Sequence, residues 1–213
     1  MTRIGTDESG KGDYFGALVI AGVTLDDDIG EELTGAGLKD SKRLAEAAIR
    51  RLAGEIRRRC QHEVVRISPR RYNELHDRMG NVNLILAWGH ARVIENLLSR
   101  RPACELAVAD QFGDEHYLER ALLARGRRIR LEQRVRAEED PAVAAASVLA
   151  REAFLDSLVR LSRAAGQLLP KGATHVLPAA RAVLARGGIE LLGEVAKLHF
   201  RTTQQVAAGS QAN

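Results

Sequence analysis

The chain opens with Arg3-Ile4-Gly5-Thr6-Asp7-Glu8-Ser9-Gly10-Lys11-Gly12-Asp13-Tyr14-Phe15-Gly16, and Ala17-Leu18-Val19-Ile20-Ala21-Gly22-Val23 follows directly. A short apolar run ends in two adjacent carboxylates, a glycine-rich turn with one lysine comes next, and a second apolar run begins after it. Two apolar runs on either side of a glycine-containing turn are typical of a β-hairpin. The sequence therefore predicts a hairpin whose turn carries the chemistry.

The two adjacent carboxylates, Asp7 and Glu8, would diverge on a regular strand, because successive strand side chains point to opposite faces. We therefore expect the strand to end or bend at this pair, with Gly10 and Gly12 supplying the bend and letting backbone N–H groups approach a ligand. Lys11 adds a positive charge between the two glycines. Carboxylates beside a bare, cationic backbone suit a metal ion together with a phosphate group. The alternative is an ordinary hairpin with a solvated acidic tip.

Composition limits the classes of protein to which the chain can belong. The 213 residues are 45% hydrophobic and carry a net charge of +4, which fits a globular chain and is compatible with a polyanionic partner. Cys60 and Cys104 lack C-x-x-C spacing, so we expect neither a disulfide framework nor a zinc site, and a reducing compartment fits best. The polar start and the lack of a long apolar run predict a cytoplasmic protein without a signal peptide or a membrane span.

The remaining sequence alternates between helical and strand patterns. Ser68-Pro69 has the form of a helix start, with a capping serine before a proline, and Asp40-Ser41 and Asp114 are further candidate caps. Helices are predicted from Asp40-Ser41 past Ile56, from Ser68 to near Gly80, and over residues 82–99, 114–124, 141–165, 176–186 and 188–197. Strands are predicted over residues 63–67, 105–110 and 127–135, and residues 25–38 are interpreted as a connection. The pattern predicts one α/β domain over residues 1–206 and a frayed tail over residues 207–213.

Further carboxylates stand at two places beyond the hairpin. Asp110 ends the apolar run Leu106-Ala107-Val108-Ala109, which is typical of a central strand with a carboxylate at its carboxyl end. Glu138-Glu139-Asp140 directly precedes an alanine-rich helix. Two-metal cleavage of a phosphodiester needs several carboxylates around the ions, so Asp110 and one member of this trio are candidates to join Asp7 and Glu8. The alternatives are a turn aspartate at Asp110, and for the trio carboxylates that the helix dipole favours.

Other polar residues give weaker signals. Lys42 suits phosphate binding, whereas its neighbours Asp40 and Ser41 are interpreted as a cap, and Lys171 lies in a turn. Ser147 follows three alanines in a predicted helix and is either a small packing residue or a hydroxyl at the wall of a site. The six histidines show no metal-ligand spacing and are interpreted as surface or core residues. Three aromatic residues are expected in the core: Tyr14, Phe15 and Trp88.

These segments follow one another in the order of the motifs of type 2 ribonucleases H. The stretch from Gly5 to Gly16 resembles their signature in its ribonuclease HIII form, since it has Gly-Lys-Gly before Asp-Tyr-Phe-Gly, where the HII form typically has Gly-Arg-Gly before proline. Further matches cover nearly the whole chain: Leu38-Lys39-Asp40-Ser41-Lys42-Arg43-Leu44, Tyr72-Asn73-Glu74-Leu75, Asn81-Val82-Asn83, Leu86-Ala87-Trp88-Gly89-His90-Ala91, Asp110-Gln111-Phe112, Ala144-Ala145-Ala146-Ser147-Val148-Leu149-Ala150-Arg151, Leu169-Pro170-Lys171-Gly172-Ala173 and Ala196-Lys197-Leu198-His199-Phe200.

The resemblance implies a ribonuclease H-like α/β fold, with a mixed central sheet flanked by helices and a helical carboxyl-terminal region. It implies an endonuclease that uses Mg2+ or Mn2+ in a two-metal site, hydrolyses the RNA strand of RNA/DNA hybrids, and leaves 5′-phosphate and 3′-hydroxyl ends. The family's four carboxylates correspond to Asp7, Glu8, Asp110 and one residue before the alanine-rich helix. Glu138 is our choice for the fourth, and Glu139 and Asp140 remain open. Six residues are predicted to contact substrate: Gly10, Lys11 and Gly12, in the loop that reads ribose 2′-hydroxyls, together with Lys42, Ser147 and Lys171.

Two departures from the family pattern lead to expectations of their own. HIII enzymes usually carry an amino-terminal domain that holds the hybrid, and because the hairpin here begins at residue 3, we expect the catalytic domain alone, acting as a monomer. The HII form recognises a single ribonucleotide joined to DNA with a tyrosine after its Lys-Gly turn, where this chain has Ala173-Thr174. We therefore expect a preference for runs of ribonucleotides. The alternatives are HII-like excision at single embedded ribonucleotides and a non-catalytic hybrid-binding module.

Overall fold

The computed structural model, which describes residues 1–38 and 44–210, divides into two units built from separate stretches of the chain. The first unit comprises Met1–Ser9, Val19–Val65 and Asn81–Ala153, and the second comprises Gly10–Leu18, Arg66–Gly80 and the chain from Phe154 onward. The single catalytic domain expected over residues 1–206 therefore stays a prediction.

Five strands form one mixed sheet, and their bounds are β1 (Thr2–Ser9), β2 (Leu18–Asp26), β3 (Gln61–Ile67), β4 (Leu106–Asp110) and β5 (Arg130–Arg134). Their order across the sheet is β3-β2-β1-β4-β5. β1 pairs antiparallel with β2 and parallel with β4, and β4 pairs parallel with β5. The predicted hairpin and the predicted mixed sheet are thus confirmed, and the sheet places the carboxyl ends of β1 and β4 side by side.

Eight helices lie within the described residues: α1 (Asp27–Gly35), α2 (Glu46–Arg59), α3 (Pro69–Met79), α4 (Val82–Arg100), α5 (Glu115–Ala121), α6 (Pro141–Ala165), α7 (Leu177–Val195) and α8 (Arg201–Ser210). The predicted start of α3 is confirmed, because the Ser68 side chain accepts a hydrogen bond from the Arg71 N–H. The bounds of α6 are those predicted. Within this part of the chain, every helix is too short or too polar to traverse a bilayer.

Two segments differ from their predictions. Residues 25–38, expected to be a connection, contain α1, whose first turn carries Asp27 and Asp28 where the helix dipole favours negative charge. The two helices predicted near the carboxyl end are both present within α7, which non-helical dihedral angles at Gly187 and Gly188 divide where the break was predicted. α8 reaches Ser210, four residues into the predicted tail.

In the first unit, α6 and α4 cover opposite faces of β1. The α6 backbone comes so close at Gly5 that a side chain there would begin 2.1 Å from the Ala142 carbonyl carbon. On the next residue, the Thr6 hydroxyl contacts His90 of α4. Because successive strand residues face opposite ways, the two helices pack on different sides of the sheet. Trp88 lies on the outer side of α4 and is 38% exposed, so its predicted core position is wrong.

In the second unit, the residues that follow β1 carry the aromatic part of the core. Tyr14 and Phe15 are fully buried, as predicted, and their rings meet edge to face with centroids 4.8 Å apart. Phe15 forms an isolated antiparallel bridge with Ala196, and Phe200 lies 5.9 Å from the Tyr14 ring. The segment after the predicted turn is therefore anchored to the carboxyl-terminal helices of its own unit.

Candidate active site

Asp7 and Glu8 lie on opposite faces of β1. The strand keeps its pairing with β2 through Ser9, with Asp7 opposite Ala21 and Glu8 opposite Ile20. The expectation that the strand ends or bends at this pair is therefore wrong, because β2 continues to offer backbone partners beyond it. The chain leaves the strand only at Gly10, whose φ of 90° is the left-handed conformation that favours glycine.

Asp7 lies on the α6 face of β1 and is only 8% exposed. Its Oδ1 accepts a hydrogen bond of 2.8 Å from the Glu8 N–H, and its carboxyl group is also hydrogen-bonded to Ser147. Burial raises the pKa of Asp7 to about 7, and the negative charges of Glu8 and Asp110 add to that rise against the two hydrogen bonds. The structure thus brings three predicted carboxylates within electrostatic reach of one another, and places Ser147 against one of them.

Glu8 lies on the α4 face, where a buried histidine holds it. Glu8 Oε2 is 3.3 Å from His90 Nε2, and His90 Nδ1 is 2.9 Å from Thr6 Oγ1. An ionised carboxylate has no proton to donate, so His90 Nε2 carries a hydrogen and donates it to Glu8, while Nδ1 is hydrogen-bonded to the Thr6 hydroxyl. The His90 ring is fully buried and stacks on Phe112 with centroids 4.9 Å apart. Glu8 is therefore oriented by a residue of α4, on the face of β1 opposite to that of Asp7.

Sequence reasoning did not identify His90 as part of the site. The six histidines were interpreted as surface or core residues because none had metal-ligand spacing, and His90 is indeed a core residue. The available signal was its place in the Trp88-Gly89-His90-Ala91 motif. Its contact with Glu8 depends on α4 lying against β1, which spacing along the chain does not reveal.

Asp110 ends β4, as predicted, and fixes the start of a short 3-10 helix, Ala137–Glu139. Its Oδ1 accepts a 3.0 Å hydrogen bond from the Ala137 N–H. The preceding Arg136 has a φ of 58°, and among the described residues it is the one non-glycine residue with positive φ. Such a conformation is strained, and here it turns the chain after β5 so that the Ala137 N–H meets Asp110.

The three acidic residues before α6 have different environments. Asp140 accepts hydrogen bonds from the Arg3 Nε (2.7 Å) and from the Ala142 N–H (2.8 Å) in the first turn of α6. Glu139 is exposed, whereas Glu138 is half-buried and directly follows the residue bonded to Asp110. Glu138 therefore directly follows the residue that contacts Asp110, whereas Asp140 is bonded to Arg3 and to the first turn of α6. The assignment of Glu138 stays a prediction.

The predicted substrate loops belong to the second unit. Lys11 is half-buried, and Gly12 and Lys171 are exposed. The turn at Lys171 is bonded to the chain just after Gly12, since the Gly172 N–H donates to Asp13 Oδ1 over 2.6 Å. The structure therefore brings these two predicted loops together. Lys42, with its neighbours Asp40 and Ser41, lies outside the described residues.

The carboxylates fit a divalent cation by their chemistry. Among residues 1–38 and 44–210, no three His, Cys, Asp or Glu side chains are arranged to hold a metal ion, and Glu8 and Asp110 are turned to protein partners. Carboxylate oxygens are nevertheless the donors that Mg2+ and Mn2+ prefer. Burial and the nearby charges of Glu8 and Asp110 raise the pKa of Asp7, and a divalent cation bound beside this carboxyl group would favour its ionised form.

Comparison with known proteins gives a consistent result. The family model described as Ribonuclease HII matches residues 4–203. A curated protein named Ribonuclease HIII from Protochlamydia amoebophila (strain UWE25) is 44% identical over 205 residues, which cover 96% of this chain and 68% of the relative. Another Ribonuclease HIII, from Chlamydia felis (strain Fe/C-56), is 41% identical over 213 residues, which cover 99% of this chain and 71% of the relative.

Solved structures match over most of the chain as well. The crystal structure of Bst-RNase HIII in complex with Mn2+ is similar with a TM-score of 0.92 and 34% identity, covering 100% of this chain and 71% of that one. Aquifex aeolicus RNase H3 is similar with a TM-score of 0.74 and 27% identity, covering 92% of this chain and 71% of that one. These matches confirm the predicted fold class.

Proposed function

The chain belongs to the ribonuclease HII family, and from this premise we propose that it is an HIII-type endoribonuclease that cuts runs of ribonucleotides with two divalent ions. Hydrolysis of RNA in RNA/DNA hybrids by a metal-dependent ribonuclease is the general activity of the family. The proposal adds the two-ion site, the use of Mg2+ or Mn2+, the 5′-phosphate and 3′-hydroxyl ends, and action as a monomer. Bst-RNase HIII is in complex with Mn2+, which supports the choice of ion.

The observation that carries the proposal is the gathering of Asp7, Glu8 and Asp110, in which burial first and the two neighbouring charges second raise the pKa of Asp7 to about 7. Groups of like charge are gathered in this way where a site needs them to meet a cation. Asp7 and Asp110 would hold the metal from the ends of β1 and β4, and Glu8 and Glu138 would complete the set. When bound, divalent ions supply an activated water and stabilise the leaving oxygen.

Protein groups around the carboxylates would orient them. Ser147 is bonded to Asp7, His90 to Glu8, and the Ala137 N–H to Asp110. Partners of this kind fix the direction of a ligand before the metal arrives and so reduce the reorganisation that binding requires. The Ser147 contact with substrate stays a prediction beside this orienting role.

On the substrate side, backbone N–H groups of Gly10-Lys11-Gly12 would contact ribose 2′-hydroxyls, the groups that distinguish RNA from DNA. Lys11 and Lys171, together with Lys42, would contact backbone phosphates. The turn after Lys171 bears Ala173 and the exposed Thr174, which have no ring to stack on a single ribose at a junction. This supports a preference for runs of ribonucleotides over one embedded ribonucleotide.

The test compares cleavage of a uniform RNA/DNA hybrid with cleavage of a duplex that contains one ribonucleotide, with Mg2+ and Mn2+ in parallel. We expect the uniform hybrid to be cut internally and to give products with 5′-phosphate ends. The duplex with one ribonucleotide should be cut far more slowly. Faster cutting at the single ribonucleotide would instead support HII-like excision. Binding of the hybrid without cleavage at any metal concentration would support the non-catalytic module. Gel filtration with light scattering measures the molar mass in solution and so tests whether the protein is a monomer.

A further inference from the structure

The two predicted substrate loops of the second unit are held together by direct hydrogen bonds. The Gly172 N–H donates to Asp13 Oδ1 over 2.6 Å, and the Tyr14 N–H donates back to the Gly172 carbonyl over 2.9 Å. Two bonds in opposite directions fix both the distance and the orientation of the Gly172 turn relative to the residues that follow Gly12. Lys11 and Lys171 therefore lie on loops with a defined spacing.

A buried lysine fixes the same segment from the carboxyl-terminal region. Lys197 is fully buried, and its Nζ donates to the carbonyl oxygens of Asp13 and Gly16, each over 2.7 Å. Its own backbone N–H donates to the Tyr14 carbonyl over 2.9 Å. Burial lowers the pKa of Lys197 to about 7, and the negative charge of Asp13 opposes that change. A lysine is rarely buried so completely unless its amine is paired, and here its partners lie on both sides of Tyr14 and Phe15.

Asp13 connects these contacts to the glycine loop. Its N–H donates to the Gly10 carbonyl over 3.3 Å, its carbonyl accepts from Lys197, and its carboxylate accepts from Gly172. The three polar groups of one residue thus reach the glycine loop, the carboxyl-terminal segment and the lysine-bearing turn. Asp13 therefore joins the two loops to which substrate contacts are assigned.

We propose that Asp13 and Lys197 are positioning residues that hold the Gly10-Lys11-Gly12 loop and the Lys171-Gly172 turn as one preformed surface for the hybrid backbone. The inference rests on the proposed function, because that function supplies the substrate contacts of the two loops. Holding both lysine-bearing loops in place before binding removes the cost of ordering them on the substrate, which raises affinity without any new contact. The pair acts through the loops and does not contact the reacting groups.

The test measures hybrid affinity by fluorescence anisotropy in the Asp7→Asn background, where cleavage does not interfere. We expect Lys197→Met and Asp13→Ala to weaken hybrid binding by roughly tenfold or more. The dependence of affinity on salt should also fall, by a slope of about 0.9 for each phosphate contact that is lost. Arg181→Met is the matched control, since it removes one positive charge from an exposed position of α7 and should keep both values at those of the parent.

Three readouts separate positioning from a general structural effect. In the enzyme with Asp7 intact, the substitutions should raise KM while kcat stays close to wild type, and the metal concentration needed for half-maximal cleavage should not change. Asp13→Asn keeps an oxygen that can accept from the Gly172 N–H, so it should restore much of the affinity that Asp13→Ala loses. Circular dichroism and thermal melting show whether Lys197→Met folds. If it does not, the comparison of Asp13→Asn with Asp13→Ala still tests the positioning role.

The results distinguish the inference from the proposed function. If the Asp7→Asn parent does not bind the hybrid, the proposed function is wrong. If the parent binds, and folded Lys197→Met and Asp13→Ala proteins bind with the same affinity and the same salt dependence, the positioning role is wrong. If Arg181→Met weakens binding as much as Lys197→Met, loss of charge explains the effect and the positioning role is again wrong.

Discussion

The carboxylate site of the first unit and the loop assembly of the second unit both place charged groups in buried positions, but they satisfy them differently. At the carboxylate site, burial and the negative charges of Glu8 and Asp110 raise the pKa of Asp7 to about 7, against two hydrogen bonds that lower it. In the loop assembly, Lys197 has carbonyl acceptors at 2.7 Å on either side of two buried aromatic residues, and Asp13 has a partner for each of three polar groups.

The difference shows which region needs a ligand to be complete. Carboxylates that raise one another's pKa gain from a cation, because the cation removes the repulsion that folding introduced. Buried polar groups that already have hydrogen-bond partners gain little from further binding, and their bonds serve to fix geometry. The first region therefore has the properties of a reactive site, and the second those of a preorganised support.

The largest effect should come from removing the charge at the centre of the first region. Asp7→Asn keeps the shape of the side chain but removes the carboxylate, so we expect cleavage of a uniform hybrid to fall by roughly a thousandfold or more. Hybrid affinity should stay near wild type, because the loops of the second region are untouched. Single-turnover cleavage and anisotropy measure the two quantities. Retained cleavage by the purified variant would contradict the assignment.

The second prediction separates the three acidic residues before α6. Glu138→Gln should lower cleavage by roughly a hundredfold or more, because it removes a metal ligand, while Glu139→Gln should behave like wild type. Asp140→Asn should leave cleavage largely intact but lower the free energy of unfolding by about 1 kcal/mol, because it weakens a helix cap and the ion pair with Arg3. Cleavage rates and chemical denaturation are measured on all three. Loss of cleavage in Glu139→Gln, with Glu138→Gln unaffected, would assign the fourth metal ligand to Glu139 instead of Glu138.

His90 tests whether the reactive site depends on its orienting partners. His90→Phe removes the contact with Glu8 and leaves the Thr6 hydroxyl without its imidazole, so we expect Mn2+ to bind about 10- to 100-fold more weakly. His90→Gln, which can still donate to Glu8, should recover part of the loss. Calorimetric titration with Mn2+ in the absence of substrate gives the affinity. The same substitution at the exposed His116 is the control, and equal losses at both positions would refute the orienting role.

The smallest effect is a difference in pH dependence between the two regions, measured without metal. The pKa of Asp7 is raised from 3.8 to about 7, so its contribution to stability is fully present below pH 3.8 and is lost as the pH rises through about 7. The pKa of Lys197 is lowered from 10.5 to about 7, so its contribution is fully present above pH 10.5 and is lost as the pH falls through about 7.

Thermal melting in the presence of a chelator checks both signs. Asp7→Asn should reduce the fall in melting temperature between about pH 4 and pH 7, and Lys197→Met should reduce the rise between about pH 7 and pH 10. Each change should amount to a few degrees. Parallel curves for the wild type and both variants would show that neither group titrates with folding.

Much of the fold followed from local pattern. The hairpin, the capped start of α3 and the bounds of α6 were predicted because turn residues, caps and apolar periodicity act within a few residues of one another. The connection predicted over residues 25–38 was wrong because three glycines suggested irregular chain, whereas Asp27 and Asp28 at a helix start favour α1. The core position predicted for Trp88 was wrong because the spacing of one aromatic residue does not determine which side of α4 faces the sheet.

The sequence by itself determined the family, the fold class and the candidate carboxylates, since these depend on residue types in a fixed order along the chain. Only the tertiary structure decided that β1 continues past Asp7 and Glu8, that His90 holds Glu8, and that Asp13 and Lys197 join two distant loops. Each of these depends on which backbone and side-chain groups meet across elements far apart in the chain. Burial and distance, which set hydrogen bonding and pKa, arise only when those elements pack together.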